Sequence, residues 1–236
     1  MSWKIKGKSI TFDNNIVQDG LLLNLDAGDF ASYSGGTTWY DLSGNGNNGT
    51  LVNGVGFDSD YRGSLTFDGS NQYVTLSSSQ IAPGTGAFTW NFLVRHIPTG
   101  GGVGRYSILL SGTGSNTSYG VVYMNSDTGL GYYASGNRIL DSDPSFDNQW
   151  WHIAFVGNGG LSGSRTLKLY RNGVQAGSTY TYDYNFTSTT PIIGANHSSF
   201  AELMRGNISN VLYYNRELTE AEVQQNFNAL RGRYGI

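Results

Sequence analysis

The sequence contains no cysteine and only four prolines among its 236 residues. The first absence excludes a disulfide framework, a thiolate metal site and a cysteine nucleophile together. Charge is scarce as well: Asp, Glu, Lys and Arg make up 13% of the chain, against roughly 25% in an average globular protein. Fourteen Lys and Arg face seventeen Asp and Glu, and no basic run concentrates them, so nucleic acid and anionic membranes find no electrostatic footprint. No run approaches the ~20 apolar residues of a helical span, and residues 1–6 lack the apolar centre of a signal peptide. No membrane insertion is expected. A secreted chain trimmed before numbering would read the same.

In place of charge the chain carries 34 Gly and 16 Tyr, with abundant Asn, Ser and Thr, which predicts a neutral surface rich in hydroxyls and amides. A chain of this length buries roughly 70–75% of its unfolded surface, so no covalent staple is needed. From Gly20 onward it is a succession of short β-favouring runs at spacings near ten residues, each bounded by Gly, Asn, Asp, Ser or Pro. That rhythm predicts a sandwich or barrel, because βαβ units would need helical crossovers between the runs. Phe88, Trp90, Phe92 and Val94 alternate with Thr89, Asn91 and Arg95, which predicts a strand with one buried face and one largely wet face. The most patterned stretch is Trp150 to Val174. Asn172-Gly173 there sits between two β-favouring runs, and these two residues tolerate the positive φ that both centres of a type I′ hairpin turn require.

One helix is predicted, beginning after Thr219. Thr219-Glu220-Ala221-Glu222 is a capping box, and Val223, Phe227 and Leu230 follow on one stripe, leaving Gln224, Gln225, Asn228 and Arg231 wet. There is no internal repeat and no long linker. The expected organisation is an N-terminal arm or edge strand over residues 1–19 and a single domain over 20–236.

Three blocks carry a family resemblance. The first is Gly20-Leu21-Leu22-Leu23-Asn24-Leu25-Asp26-Ala27-Gly28 with Trp39-Tyr40-Asp41-Leu42-Ser43-Gly44-Asn45 and Leu65-Thr66-Phe67-Asp68-Gly69. The second joins Trp150-Trp151-His152-Ile153-Ala154 to Leu169-Tyr170-Arg171-Asn172-Gly173. The third runs from Gly206-Asn207-Ile208-Ser209-Asn210-Val211 into the capped helix. With these blocks the chain resembles laminin-G-like members of the concanavalin A-like lectin/glucanase superfamily, and in wording those of bacteriophage structural proteins. The resemblance implies an all-β fold, a jelly-roll β-sandwich of two antiparallel sheets with one short C-terminal helix. It also implies a non-enzymatic virion component, capsid decoration or tail-surface module, touching other virion proteins and cell-surface glycans. A secreted bacterial carbohydrate-binding or adhesion module is the alternative, and a glycoside hydrolase-like enzyme stands behind it.

Hydrolysis on this scaffold would use clustered carboxylates spaced as Glu-x-Asp-x-x-Glu. The chain has no such motif, and its glutamates are Glu202, Glu217, Glu220 and Glu222, three of them at the helix or its lead-in. There is no Gly-x-Ser-x-Gly elbow, and His152 falls within an apolar strand, where a packed histidine is the plainer reading than a catalytic one. A cation would have to be calcium, held by oxygen. Asp141, Asp143 and Asp147 form the densest aspartate run, although Asp, Pro and Ser clusters also build ordinary turns. Sugar binding calls for an aromatic plane beside amides, which points to Trp39, Tyr106, Tyr119 and Tyr132 with Asn116, Asn196 and His197; most tyrosines in a sandwich simply cover apolar edges. An open sandwich also leaves unpaired edge strands, through which a homo-oligomer can form.

Overall fold

The computed structural model describes residues 3–5, 8–10, 15–77, 81, 84–97, 105–112, 119–125, 129–133, 137–141, 148–161, 163–182, 191–195 and 203–236. Two antiparallel sheets form its body. The first runs β13 (Asn137–Asp141), β12 (Gly129–Tyr133), β11 (Tyr119–Asn125), β10 (Arg105–Gly112), β17 (Ile192–Ile193), β8 (Tyr73–Leu76), β5 (Gly49–Val52) and β4 (Thr38–Trp39). The second runs β16 (Val174–Tyr182), β15 (Arg165–Arg171), β14 (Trp150–Gly157), β9 (Phe88–His96), β18 (Arg205–Tyr214), β7 (Ser64–Asp68) and β6 (Gly56–Asp58). β3 (Leu21–Asp26) pairs with β18 through Asn210–Tyr214, beyond the stretch that β7 occupies. β1 (Trp3–Ile5) and β2 (Lys8–Ile10) form a two-stranded sheet of their own. Of the sandwich or barrel that the spacing of short runs predicts, the chain forms the sandwich, with the jelly-roll-like arrangement that the resemblance implies.

Local chemistry explains the turns. Asn172 and Gly173 stand at φ 49° and 82° between β15 and β16, the mirror-image turn geometry that matches strand twist. After β3 the loop is tied back on itself by Asp41, whose carboxylate accepts from the Asn24 N–H (2.8 Å), the Ser43 N–H and hydroxyl (2.9 and 2.7 Å) and the Asn47 N–H (2.9 Å). Asn47 in turn donates to the Leu22 carbonyl at 2.7 Å. The Asp41–Asn48 block thus works as a clasp on β3.

Between the sheets lies the main core, with Trp90, Phe92, Val94, Ile153, Phe155, Ile208, Val211 and Tyr213 contributed by the three central strands of the second sheet. A second apolar layer covers that sheet's outer face. It comprises Leu93, Ala154, Val156, Leu212 and Tyr214 from the strands, Val17 from the N-terminal side, and Val223 and Leu230 from the single helix, α1 (Glu220–Leu230). Burying a side chain such as Val223 contributes about 1.5–3 kcal/mol.

This cover corrects the expectation that β9 has a wet face: Thr89 and Asn91 are fully buried. Thr89 meets its cover with two hydrogen bonds, its hydroxyl donating to the Arg216 carbonyl (2.9 Å) and accepting the Leu218 N–H (3.0 Å). Residues 15–19 are knitted into the same layer. The Val17 N–H donates to Asn226 of α1 at 2.9 Å, Tyr214 donates to the Val17 carbonyl at 3.0 Å, and Gln225 donates to the Asn15 carbonyl at 2.9 Å.

The capping box forms as predicted. Glu222 donates its N–H to the Thr219 hydroxyl (3.3 Å), and its carboxylate accepts the Thr219 N–H (2.8 Å). Arg216 grips the same carboxylate with two nitrogens at 3.0 and 2.6 Å. That guanidinium, with Thr219, holds the Glu222 carboxyl down to about 2. After α1 a 3-10 turn, Arg231–Arg233, returns the chain to the sheet, where Arg233 donates to Asp26 at 2.7 Å and makes a second contact with its other carboxylate oxygen.

Candidate functional site

Four of the seven residues expected to form a glycan site from sequence, Trp39, Tyr106, Tyr119 and Tyr132, are among the described residues. Trp39 is wholly buried in the main core, so its ring offers no plane to a ligand. Tyr106 stands opposite Met124 and Tyr119 opposite Gly112, at the two ends of the β10–β11 ladder. Six residue steps of β10 separate the two pairs, with one irregularity, which is about 20 Å along the strand. Tyr132 pairs with Val122 in the middle of the neighbouring ladder. Asn116, Asn196 and His197 lie outside the described residues, as do Asp143 and Asp147.

Asp141 ends β13 and is buried. Arg171 of β15 approaches its carboxylate at 3.2 Å, and the same guanidinium lies 4.9 Å above the Trp151 ring. As it stands Asp141 is charge-matched within the protein and offers no free carboxylate to a cation. No group of three or more His, Asp or Glu placed to hold a metal occurs among the described residues.

A different constellation assembles where β14 begins. Register places Trp150 opposite Arg95, Arg95 opposite Asn207, and Asn207 opposite Thr66. All four belong to the outer face: Trp150 lies in the outer apolar layer together with Leu93, two residues before Arg95, and side chains two apart on a strand share a face. The four make one row across four adjacent strands. α1 covers the sheet further along, and here Arg95 and Thr66 are only partly buried.

Tyr61 stands over this row. The residue is 49% exposed, and its ring stacks on Tyr234 at 5.8 Å and 24° and meets Trp150 edge-on at 6.1 Å and 67°. The backbone that displays it is strained, with φ 55° at Tyr61 and 74° at Arg62, values that non-glycine residues seldom adopt. Gly63 follows at φ 129°, where a Cβ would come within 2.6 Å of the Ala27 carbonyl. Strain of this kind persists where surrounding structure enforces it, and it clusters at binding sites. Tyr234 is fixed from below by its hydroxyl contact with Ser209, which also donates to the Gly63 carbonyl at 2.7 Å. Burial raises the Tyr234 phenol above its ordinary range.

Two donors in this corner lack partners. Arg95 Nε and Trp150 Nε1 are both buried and neither meets an acceptor. Asn207 by contrast donates to Ser64 at 3.0 Å. One register step along the same face, His152 lies fully buried 5.7 Å from Phe227 of α1 with neither ring nitrogen paired, and burial lowers its pKa to about 3. It is neutral at physiological pH and belongs to the packing beneath the helix.

Sequence reading missed Tyr61, Arg95, Trp150 and Asn207 as a group because they come from four separate segments. The available signal was Arg95, the charged residue at the end of the alternating Phe88 run.

Comparisons with known proteins agree with this architecture. A family model described as the concanavalin A-like lectin/glucanases superfamily matches residues 68–224. No curated protein matches the chain in sequence. Among solved structures, the binding domain of Paraclostridial Mosquitocidal Protein 1 superposes with a TM-score of 0.65 at 17% identity, covering 90% of this chain and 52% of that one. Domain 4 of AbnA, a GH43 extracellular arabinanase from Geobacillus stearothermophilus solved with arabinotriose, gives 0.61 at 14% identity over 87% of this chain and 97% of that one. Trypanosoma rangeli sialidase in complex with sialic acid gives 0.65 at 18% identity, covering 90% of this chain and 33% of that one. This chain therefore spans about half of the mosquitocidal binding domain and a third of the sialidase, and identities this low show the fold alone.

Proposed function

The chain belongs to the concanavalin A-like lectin/glucanase superfamily, and on that premise we propose that it is a non-enzymatic module that binds carbohydrate at a surface. The observation that carries the reading is Tyr61, a half-exposed ring held flat against Tyr234 and against the edge of Trp150 by a strained backbone. A rigid aromatic plane of this kind accepts the apolar face of a sugar ring at low entropic cost.

The carboxylates support a binding role over hydrolysis. Glu217 is paired with Lys168 at 3.0 Å and Glu222 with Arg216. Asp26 holds Arg233, and Asp41 clasps β3. Asp29, Asp58 and Asp68 each accept a backbone N–H two residues on, closing their own turns at 2.8–2.9 Å. Glycoside hydrolysis needs two carboxyl groups converging on one bond, one free to give a proton and one to attack or activate water. These groups are engaged elsewhere.

The setting we propose is the surface of a bacteriophage virion, capsid or tail, with the β1–β2 hairpin and residues that follow it as the attachment to a neighbouring virion protein. That hairpin forms a sheet separate from the sandwich. A secreted carbohydrate-binding module is the competing setting, and the relatives with binding roles suit either. Mass spectrometry of purified virions decides between them, since absence of the chain removes the virion reading.

A glycan array probed with and without chelator tests the binding function. Glycan signal without chelator supports it, and loss of that signal in chelator makes the binding calcium-dependent. Release of reducing sugar from a polysaccharide panel would overturn the non-enzymatic reading.

A further inference from the structure

We infer that the corner formed by Trp150, Arg95, Asn207 and Tyr61 binds an acidic saccharide, with the ligand's oxyanion held by Arg95. The inference rests on the carbohydrate-binding reading above and specifies the ligand class.

A guanidinium has five donors and no acceptor, and an indole has one donor and no acceptor. Arg95 Nε and Trp150 Nε1 sit on directly opposed residues of β9 and β14, both buried and both without a partner. Leaving such donors unpaired in a folded protein is costly. Two adjacent donors, one of them cationic, call for a ligand that brings acceptors and negative charge.

The shape of the site narrows the class further. An inorganic anion would use the donors and ignore the ring beside them. Tyr61 supplies an apolar plane fixed by two aromatic contacts, and its display costs backbone strain at two successive residues. A sugar ring carrying a carboxylate or sulfate uses both, with its apolar face on Tyr61 and its oxyanion on the planar Arg95 fork, which matches oxyanion geometry better than a lysine would. Asn207, buried and donating to Ser64, continues the row beneath the surface beyond Arg95, and the partly buried Thr66 beyond it offers a neutral hydroxyl on the far side.

The test is a calorimetric titration of the full chain with galacturonate oligomers, sialyllactose, a heparin-derived sulfated oligosaccharide, neutral lactose and arabino-oligosaccharide, and inorganic sulfate alone. The expected result is binding of at least one oxyanion-bearing saccharide at least tenfold tighter than the neutral ones. Arg95→Gln should lose that preference, Tyr61→Ala should weaken all saccharides, and both variants should keep their melting behaviour within a few degrees. Whether the carboxylated or the sulfated sugars respond to Arg95→Gln identifies the source of the oxyanion. Arg95→Lys, which keeps the charge and loses the fork, should recover only part of the affinity and guards against a fold effect of the glutamine variant.

Equal binding of acidic and neutral sugars, unchanged in Arg95→Gln, overturns this inference and leaves the carbohydrate-binding function standing. Binding of inorganic sulfate as tight as that of the sulfated sugar also overturns it. Binding of no saccharide by the parent chain removes both.

Discussion

The ring of Tyr234 packs against the indole of Trp150 at 4.4 Å and 49°, and by that contact the last residues of the chain become part of the outer face of the second sheet. Trp150 opens β14 while Tyr234 follows α1, so the pair fastens the helical cover to the strand it covers. The same pair is the base on which Tyr61 rests.

Removing the Tyr234 ring should therefore cost both stability and binding. Tyr234→Ala is expected to lower unfolding free energy by about 3 kcal/mol, as for other large-to-small changes at buried aromatics. Tyr234→Phe keeps the ring, loses the hydroxyl contact with Ser209, and should cost about 1 kcal/mol. Urea denaturation measures both. Equal losses in the two variants would contradict a packing role for the ring.

The helix cover should loosen when its cap is removed. Thr219→Ala deletes the hydroxyl that receives the Glu222 N–H and is expected to destabilise by about 1 kcal/mol. Amide exchange should quicken first in the opening turn of α1. Unchanged exchange there would show that Arg216 alone fixes the helix start.

Acid should act on the fold through two groups in succession. His152 has its pKa lowered to about 3 by burial, so between pH 6.5 and 3 the unfolded chain binds a proton that the native chain refuses. Stability then falls with falling pH by up to about 1.4 kcal/mol per unit. Glu222 is held at about 2 by Arg216; its contribution is whole above the ordinary carboxylate pKa and is lost as pH drops from about 4.5 toward 2. His152→Leu should flatten the upper part of the profile and leave the lower part. Because neither ring nitrogen is paired, the same change should not lower stability at pH 7. A profile in the variant as steep as the parent's between pH 6 and 4.5 would contradict this assignment.

Much of this fold is written locally. Asn172-Gly173 and the Thr219 to Glu222 box announce themselves because short-range backbone chemistry decides them, whatever the rest of the chain does. The burial of Thr89 and Asn91 is not local. It depends on α1 and residues 15–19 folding back over β9, and a polar residue in an alternating strand carries no mark of a cover contributed from distant parts of the chain. Trp39 illustrates the same limit in reverse, since a Trp beside Tyr and Asp suggests an exposed plane and its actual burial follows from the Asp41 clasp drawing the loop inward. The corner itself is legible only in register, which sets Trp150, Arg95 and Asn207 in one row although they are 55 to 112 residues apart in sequence.

The most direct measurement is a titration followed through the tryptophan indole N–H signals of the 15N-labelled chain, which contains five tryptophans. If the corner binds saccharide, an oxyanion-bearing sugar that scores in calorimetry should move the Trp150 indole signal in a saturable way, leave the buried Trp39 and Trp90 signals in place, and have no effect on the Tyr61→Ala variant at the same concentration. Saturable binding with the Trp150 signal unmoved would contradict the account.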